Sequence, residues 1–108
     1  MIKLCDLTEF DNQKCFKVGH PIKADKSIVV IKGDDSFYAY ENVCPHFSVQ
    51  LDYKPGVFNT YQNKHIMCAH HSAMFDIVTG KCIEGPCRGH SLIPIEIEIQ
   101  ENKIFFKC

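Results

Sequence analysis

Two short segments constrain this chain more than anything else in it: Cys44-Pro45-His46 and Cys68-Ala69-His70-His71. Each offers a thiolate-forming side chain and an imidazole within one tight stretch of backbone. Sulfur and imidazole donors in such pairs are metal-binding chemistry. For both pairs to serve one site, the fold must carry two loops, distant in sequence, to the same place. If His71 is the second imidazole, the layout is C-x-H, 21 intervening residues, then C-x-x-H. The adjacent His70 leaves open which histidine is the ligand.

The rest of the chain says what kind of fold delivers those loops. Its periodicity is mostly two, the mark of strands with one face covered. In SIVVIKGDDSFYAYEN, β-branched residues 28 to 31 and aromatics at 37, 38 and 40 flank Gly33-Asp34-Asp35, which predicts a hairpin. In SLIPIEIEIQENKIFF, Ile93, Ile95, Ile97 and Ile99 alternate with Glu96, Glu98 and Gln100, which predicts a half-buried strand. Glu101-Asn102-Lys103 is the expected turn into a last strand, Ile104 to Lys107. No stretch sustains a 3.6-residue apolar pattern; at most, residues 7 to 13 form a helical turn capped by Thr8. The expected class is all-β, with residues 1–108 as one domain. From about Asn42 to Gly89 the alternation breaks up, and Cys, His, Pro and Gly accumulate. Irregular segments of that length in a small domain are usually functional or disordered, and the Phe and Met content here argues against disorder.

Charge and targeting exclude several classes of function. With 12 basic and 13 acidic residues the formal net charge is -1, which gives no electrostatic footprint for nucleic acid or an anionic membrane. Lys3, Asp6, Glu9 and Asp11 interrupt any signal-peptide core at the N-terminus. No apolar run approaches the ~20 residues needed to span a bilayer. The seven cysteines are an odd number without an export signal, which favours metal or redox chemistry in a reducing compartment over a disulfide framework. The expected location is the cytoplasm.

One zinc ion would accept two thiolates and two imidazoles tetrahedrally. Structural zinc sites, however, usually pair like ligands, C-x₂₋₄-C with H-x₃₋₅-H. Here each half is mixed, and a binuclear centre explains that better, because each loop sends its cysteine to one metal and its histidine to the other.

CPHFSVQL and CAHHSAMFDIVTGK resemble the two cluster-binding loops of Rieske [2Fe–2S] proteins. The resemblance extends to Phe75-Asp76 and Thr79-Gly80, which match the strand and turn after the second loop. Gly85-Pro86 matches the proline-bearing third loop, and the alternating terminal hairpin matches the strands that close the domain. The family fold is an antiparallel sheet sandwich with a small cluster-binding subdomain formed by loops, here about residues 42–89. Carried over position by position, the resemblance implies that Cys44 and Cys68 hold the inner iron of a [2Fe-2S] cluster, and His46 and His71 the outer iron. His70 then falls at a position that varies among soluble members. Phe47, Leu51, Met74 and Phe75 would shield the inner side.

The chain departs from the family pattern in three ways. Ser48 and Ser72 stand where the family usually has glycine. Val49 and His70 stand where high-potential members carry a disulfide between the loops, so that staple is absent and the lower end of the ~-150 to +300 mV Rieske range is expected. Cys82 and Cys87 flank the third loop, either as a redox pair or alternative ligands, or, as we favour, as small residues packed near a turn. Cys5, Cys15, Cys108, His20, His65 and His90 read as incidental.

No nucleophile–base pairing or substrate pocket can be placed, and the chain has little room for a mononuclear iron site beside a cluster. The resemblance therefore implies an electron carrier without a substrate site of its own. It would pass single electrons from a flavin-dependent reductase to a terminal oxygenase or another oxidoreductase. The alternatives are a non-catalytic subunit of a larger enzyme, similar to the small subunit of assimilatory nitrite reductase, and an iron–sulfur redox sensor.

Overall fold

The structure is a computed structural model that describes residues 1–45, 49–52, 54, 56–62, 64–68, 73–85 and 89–107. Among the described residues, ten strands in three antiparallel sheets make up the regular structure, with one 3-10 helix and no α-helix. The all-β expectation holds.

The central element is β3 (Ser27–Lys32), flanked antiparallel by β2 (Cys15–Gly19) and β4 (Phe37–Glu41). Its residues Ile28, Val29, Val30 and Ile31 are all fully buried, which explains the unbroken apolar run in the sequence. Successive side chains of a strand point to opposite faces. Accordingly, Val29 and Ile31 enter one apolar core, and Ile28 and Val30 enter another. The predicted hairpin between β3 and β4 forms, with Lys32 opposite Phe37 and Gly33 N–H donating to the Ser36 carbonyl at 2.7 Å.

One face of this middle sheet is covered by the chain termini. β1 (Ile2–Asp6) pairs with β10 (Lys103–Phe106), and β10 pairs with β9 (Ile97–Gln100). Leu4, Cys5, Phe10, Ile104 and Phe106 fill the core on that side. Glu101 and Asn102 form the tight turn between β9 and β10, both at positive φ (51° and 64°), as two-residue hairpin turns of the primed type require. The last strand begins at Lys103, one residue earlier than expected.

The alternation from Ile93 to Ile99 is only half realised: Ile95 and Ile97 pack on the core, whereas Ile93 and Ile99 are exposed. The segment changes sheets along its length. Around Pro94 it lies on β4, with Glu41 N–H donating to Ile93 O and Ile95 N–H to Ala39 O, and only from Ile97 does it pair with β10. The helical turn is present at Leu7–Phe10, but Asp6, not Thr8, occupies its N-cap position. Thr8 lies inside the turn, where its carbonyl accepts the Asp11 N–H.

The opposite face of the middle sheet carries β5 (Asn59–Tyr61), β6 (His65–Met67), β7 (Met74–Asp76) and β8 (Cys82–Glu84), an antiparallel sheet in that order. Each of these strands has three residues, too few for a period of two to register in sequence. This is why the segment reads as irregular.

Candidate metal centre

The two cysteine–histidine segments arise from different kinds of backbone. The second is the tip of the β6–β7 hairpin: Met67 pairs with Met74, and Cys68 follows directly on β6. The first leaves the end of β4 through Asn42 and Val43 and returns at Val49 into a stretch in which, among the described residues, no strand precedes β5. Both are nevertheless closed in the same way. Cys44 N–H donates to the carbonyl of Val49 at 2.6 Å, and Cys68 N–H to that of Ala73 at 2.8 Å. Each bond spans five residues from its cysteine, so each segment forms a loop of the same size with the cysteine at its foot.

Cys44 and Cys68 are both fully buried and belong to one apolar core, with Leu51, Ile66, Ala73, Phe75 and Cys82. Leu51 and Phe75 are thus where shielding residues were expected, while Met74 is half-buried. The partner histidines, His46 and His71, lie outside the described residues, as do His70, Phe47, Ser48, Ser72, Pro86, Cys87 and Cys108. Val49, at one position of the absent disulfide staple, is an apolar residue packed against the core.

A third segment meets the foot of the second loop at Ala73. After β8 the chain passes through Gly85 at φ +97°, where an added Cβ would lie 2.8 Å from the Cα of Ala73. The backbone here approaches the foot of the second loop as closely as only glycine permits. Further back, Asp76 Oδ1 accepts the N–H groups of Val78 and Thr79 at 2.8 and 3.3 Å, turning the chain out of β7. Gly80 then lies against the ring of Tyr40, whose hydroxyl donates to Ile77 O at 2.6 Å.

The first loop is bounded by a polar network that the sequence reading did not single out. Asn42 Oδ1 accepts the Leu51 N–H at 2.9 Å, and Asn42 Nδ2 donates to Asp52 Oδ1 at 2.9 Å. The other carboxylate oxygen, Asp52 Oδ2, accepts from Lys17 Nζ and from the Gly56 N–H, both at 3.0 Å. Gln50 Oε1 also accepts from Lys17 Nζ, at 2.6 Å. Burial alone would raise the pKa of Asp52, but donation from Asn42, Lys17 and Gly56 outweighs it and holds the carboxyl below the usual range. An Asn two residues before a cysteine and an Asp after a leucine are weak signals singly; only the fold makes them a network.

The other cysteines and histidines have structural places. Burial pushes the thiol of Cys5 up to about 11 and that of Cys15 up to about 12, far from the range of reactive thiolates. Cys82 is buried, and its Sγ–H donates to Glu84 O at 3.2 Å, in line with the packing role expected of it. His20 is less incidental than expected: its Nδ1 accepts the N–H groups of Ile22 and Lys23, both at 3.1 Å, and its ring meets Phe106 edge-on. His65, half-buried, stacks on Tyr61, and His90 is exposed.

Three antiparallel sheets thus bring two buried cysteines, each at the foot of a backbone closure of the same span, into one apolar core. Residues 1–100 match the family model of the Rieske [2Fe-2S] domain, and the chain belongs to that family. Comparison with curated proteins gives no match. Among solved structures, the fold is similar to a chain of the complex of reduced oxygenase and oxidized ferredoxin in carbazole 1,9a-dioxygenase. That likeness has a TM-score of 0.78 at 24% identity and covers 97% of this chain and 90% of that one. The Sphingomonas yanoikuyae B1 ferredoxin gives a TM-score of 0.78 at 19% identity, covering 99% and 97%. A putative nitrite reductase NADPH (small subunit) oxidoreductase protein gives 0.73 at 16% identity, again covering 99% and 97%.

The group the family implies is a [2Fe-2S] cluster, and the donor set fits it. Two buried sulfurs in an apolar core suit the inner iron of a centre kept from water. Neither cysteine foot lies on a C-x₂₋₄-C spacing, the usual arrangement for structural zinc.

Proposed function

We propose that this chain is a one-electron carrier that holds a [2Fe-2S] cluster through Cys44 and Cys68 on one iron and His46 and His71 on the other. The observation that carries this reading is the pair of wholly buried cysteines at the feet of two loops closed by the same hydrogen bond. When bound, the cluster supplies a one-electron couple whose potential is raised by replacing two anionic thiolates with neutral imidazoles. The protein's own residues supply the rest. Leu51, Ile66 and Phe75 exclude water from the sulfur side, and the backbone closures at Val49 and Ala73 fix the cysteines. His46 and His71 would carry the exit edge for the electron.

In this reading residues 1–108 act as a single domain, without catalytic residues, in the cytoplasm. Electrons come from a flavin-dependent reductase and go to a terminal oxygenase or another oxidoreductase. Support for an oxygenase partner is the similarity in fold to a chain of an oxygenase–ferredoxin complex. A non-catalytic redox subunit is the second reading, favoured by the similarity over nearly the whole length to the nitrite reductase small-subunit protein. A stoichiometric large partner on purification selects the subunit; a free monomer that exchanges electrons rapidly selects the carrier.

Electron paramagnetic resonance after anaerobic purification and dithionite reduction tests the centre itself. A rhombic signal with an average g below that of all-cysteine clusters is expected. It should vanish in His71→Ala and persist in His70→Ala. Zinc without iron or sulfide would sink the reading.

A further inference from the structure

The two ligand loops are held in different ways, and the difference assigns a role to Asn42. The second loop is a hairpin tip: β6 enters it, β7 leaves it, and the Met67–Met74 pair sits directly beneath the Cys68–Ala73 closure. The first loop has a strand on one side only. β4 ends at Glu41, and after Val49 the described residues, Leu51 and Asp52 among them, join no sheet until Asn59. The outgoing limb therefore lacks the ladder that fixes the second loop.

A side chain takes the place of that ladder. The amide of Asn42 spans the base of the first loop, accepting from the Leu51 N–H and donating to Asp52 Oδ1. It thereby joins the residue two before Cys44 to the residues just beyond the loop. Asn42 is buried, and the Asp52 side chain is only 3% exposed, so water does not compete for these bonds. Asp52 is anchored in turn by Lys17 of β2 and by the Gly56 N–H, which ties the outgoing limb to the middle sheet.

We propose that Asn42, backed by Asp52 and Lys17, is the positioning residue for the first cluster loop, and that it governs how firmly the chain retains the His46 side of its cluster. The inference rests on the proposed cluster reading. Asn42 acts by keeping the two limbs of the loop at a fixed separation, so that the Cys44–Val49 closure keeps its place. Residues behind metal ligands typically change metal affinity about 10- to 100-fold when removed.

The test uses the purified, cluster-loaded protein in three forms: wild type, Asn42→Ala, and Phe10→Leu as a control that weakens the distant core beneath the terminal sheet. Iron release to a chelator is followed at denaturant concentrations adjusted so that both variants have equal global stability. The reduced paramagnetic spectrum is recorded for each. Asn42→Ala is expected to release iron about tenfold faster than Phe10→Leu and to broaden or shift the g values, with the control spectrum unchanged. Equal release rates with an unaltered spectrum would overturn the proposal while leaving the cluster reading intact. Wild-type protein without iron and sulfide would overturn both. Should Asn42→Ala fail to fold, Asp52→Asn, which keeps an acceptor for Asn42 and loses the ion pair with Lys17, is read against the same control and with the same two outcomes.

Discussion

The ring of Tyr40 lies so close to Gly80 that a Cβ on the glycine would sit 2.7 Å from its Cε1 atom. Gly80 is also at φ +77°, and its N–H donates to Asp76 O at 2.7 Å. Tyr40 comes from the middle sheet and Gly80 from the turn after β7, so this contact joins the sheet bearing the second loop to the rest of the molecule. Gly80→Ala meets both a strained backbone and a ring locked by its own hydrogen bond. A loss of about 2 kcal/mol or more is expected in denaturant titration. A change within about 0.5 kcal/mol would mean that the ring yields freely.

Removing only the hydroxyl tests the other half of that contact. Tyr40→Phe keeps the packing and leaves the Ile77 carbonyl without its donor, at an expected cost of about 1–3 kcal/mol. Burial raises the phenol to about 12, with Asp76 adding to the effect. Ultraviolet titration should therefore show a late tyrosine step near pH 12, and Tyr40→Phe should remove it.

Alkaline stability follows from the same shifts. The folded-state values of Cys5, Cys15 and Tyr40 are about 11, 12 and 12, each above the ordinary value of 9.0 for the thiols and 10.0 for the phenol. A folded pKa above the unfolded one means that the native state binds more protons, so stability falls as pH rises. The contribution of these groups is full below about pH 9 and is lost across roughly pH 9 to 12. Cys15→Ala should flatten part of that decline in urea melts measured at stepped pH. At pH 8 the native thiols of Cys5 and Cys15 should resist a thiol reagent that modifies the unfolded chain at once.

Acid acts through Asp52 in the opposite sense. Its folded pKa lies below the unfolded value, so its contribution is present above the ordinary carboxylate range and disappears as pH falls through the depressed one. Asp52→Asn should lower stability at neutral pH and reduce the acid-induced loss seen in wild type. A wild-type acid limb that Asp52→Asn leaves unchanged would assign that loss to other carboxylates.

Gly85→Ala probes the third segment. Its Cβ would fall 2.8 Å from Ala73 Cα, at a φ of +97°, so the foot of the second loop must move. Weaker cluster retention is expected, measured as iron-to-protein ratio after gel filtration, together with a lower denaturation midpoint. Full retention would show that Ala73 can give way without disturbing Cys68.

The parts of this fold legible in sequence are those in which one residue type repeats at a structural period. The β-branched run Ile28 to Ile31 before a Gly-Asp-Asp turn revealed β3, and Ile95 and Ile97 near the C-terminus revealed a strand because burial on one face imposes alternation. Ile93 and Ile99 misled for the same reason: apolar residues at the right spacing do not reveal that a segment changes sheets at Pro94. The cysteine feet were legible because few other roles explain Cys44 and Cys68 beside histidines. Asn42 and Asp52 were not, since a buried amide–carboxylate pair has no spacing of its own and depends on two limbs that meet only in the folded chain.

The middle strand also marks where the molecule opens last. Because Ile28 and Val30 face the terminal sheet and Val29 and Ile31 the opposite core, β3 has no side turned to water. Its backbone amides exchange with deuterium only when both cores come apart together. Those of Val29 and Val30 should be among the slowest in the chain, and slower still in cluster-loaded protein, because a group bound by the folded state alone makes full opening rarer. β3 is the seam that ties the two halves of the molecule into one cooperative unit.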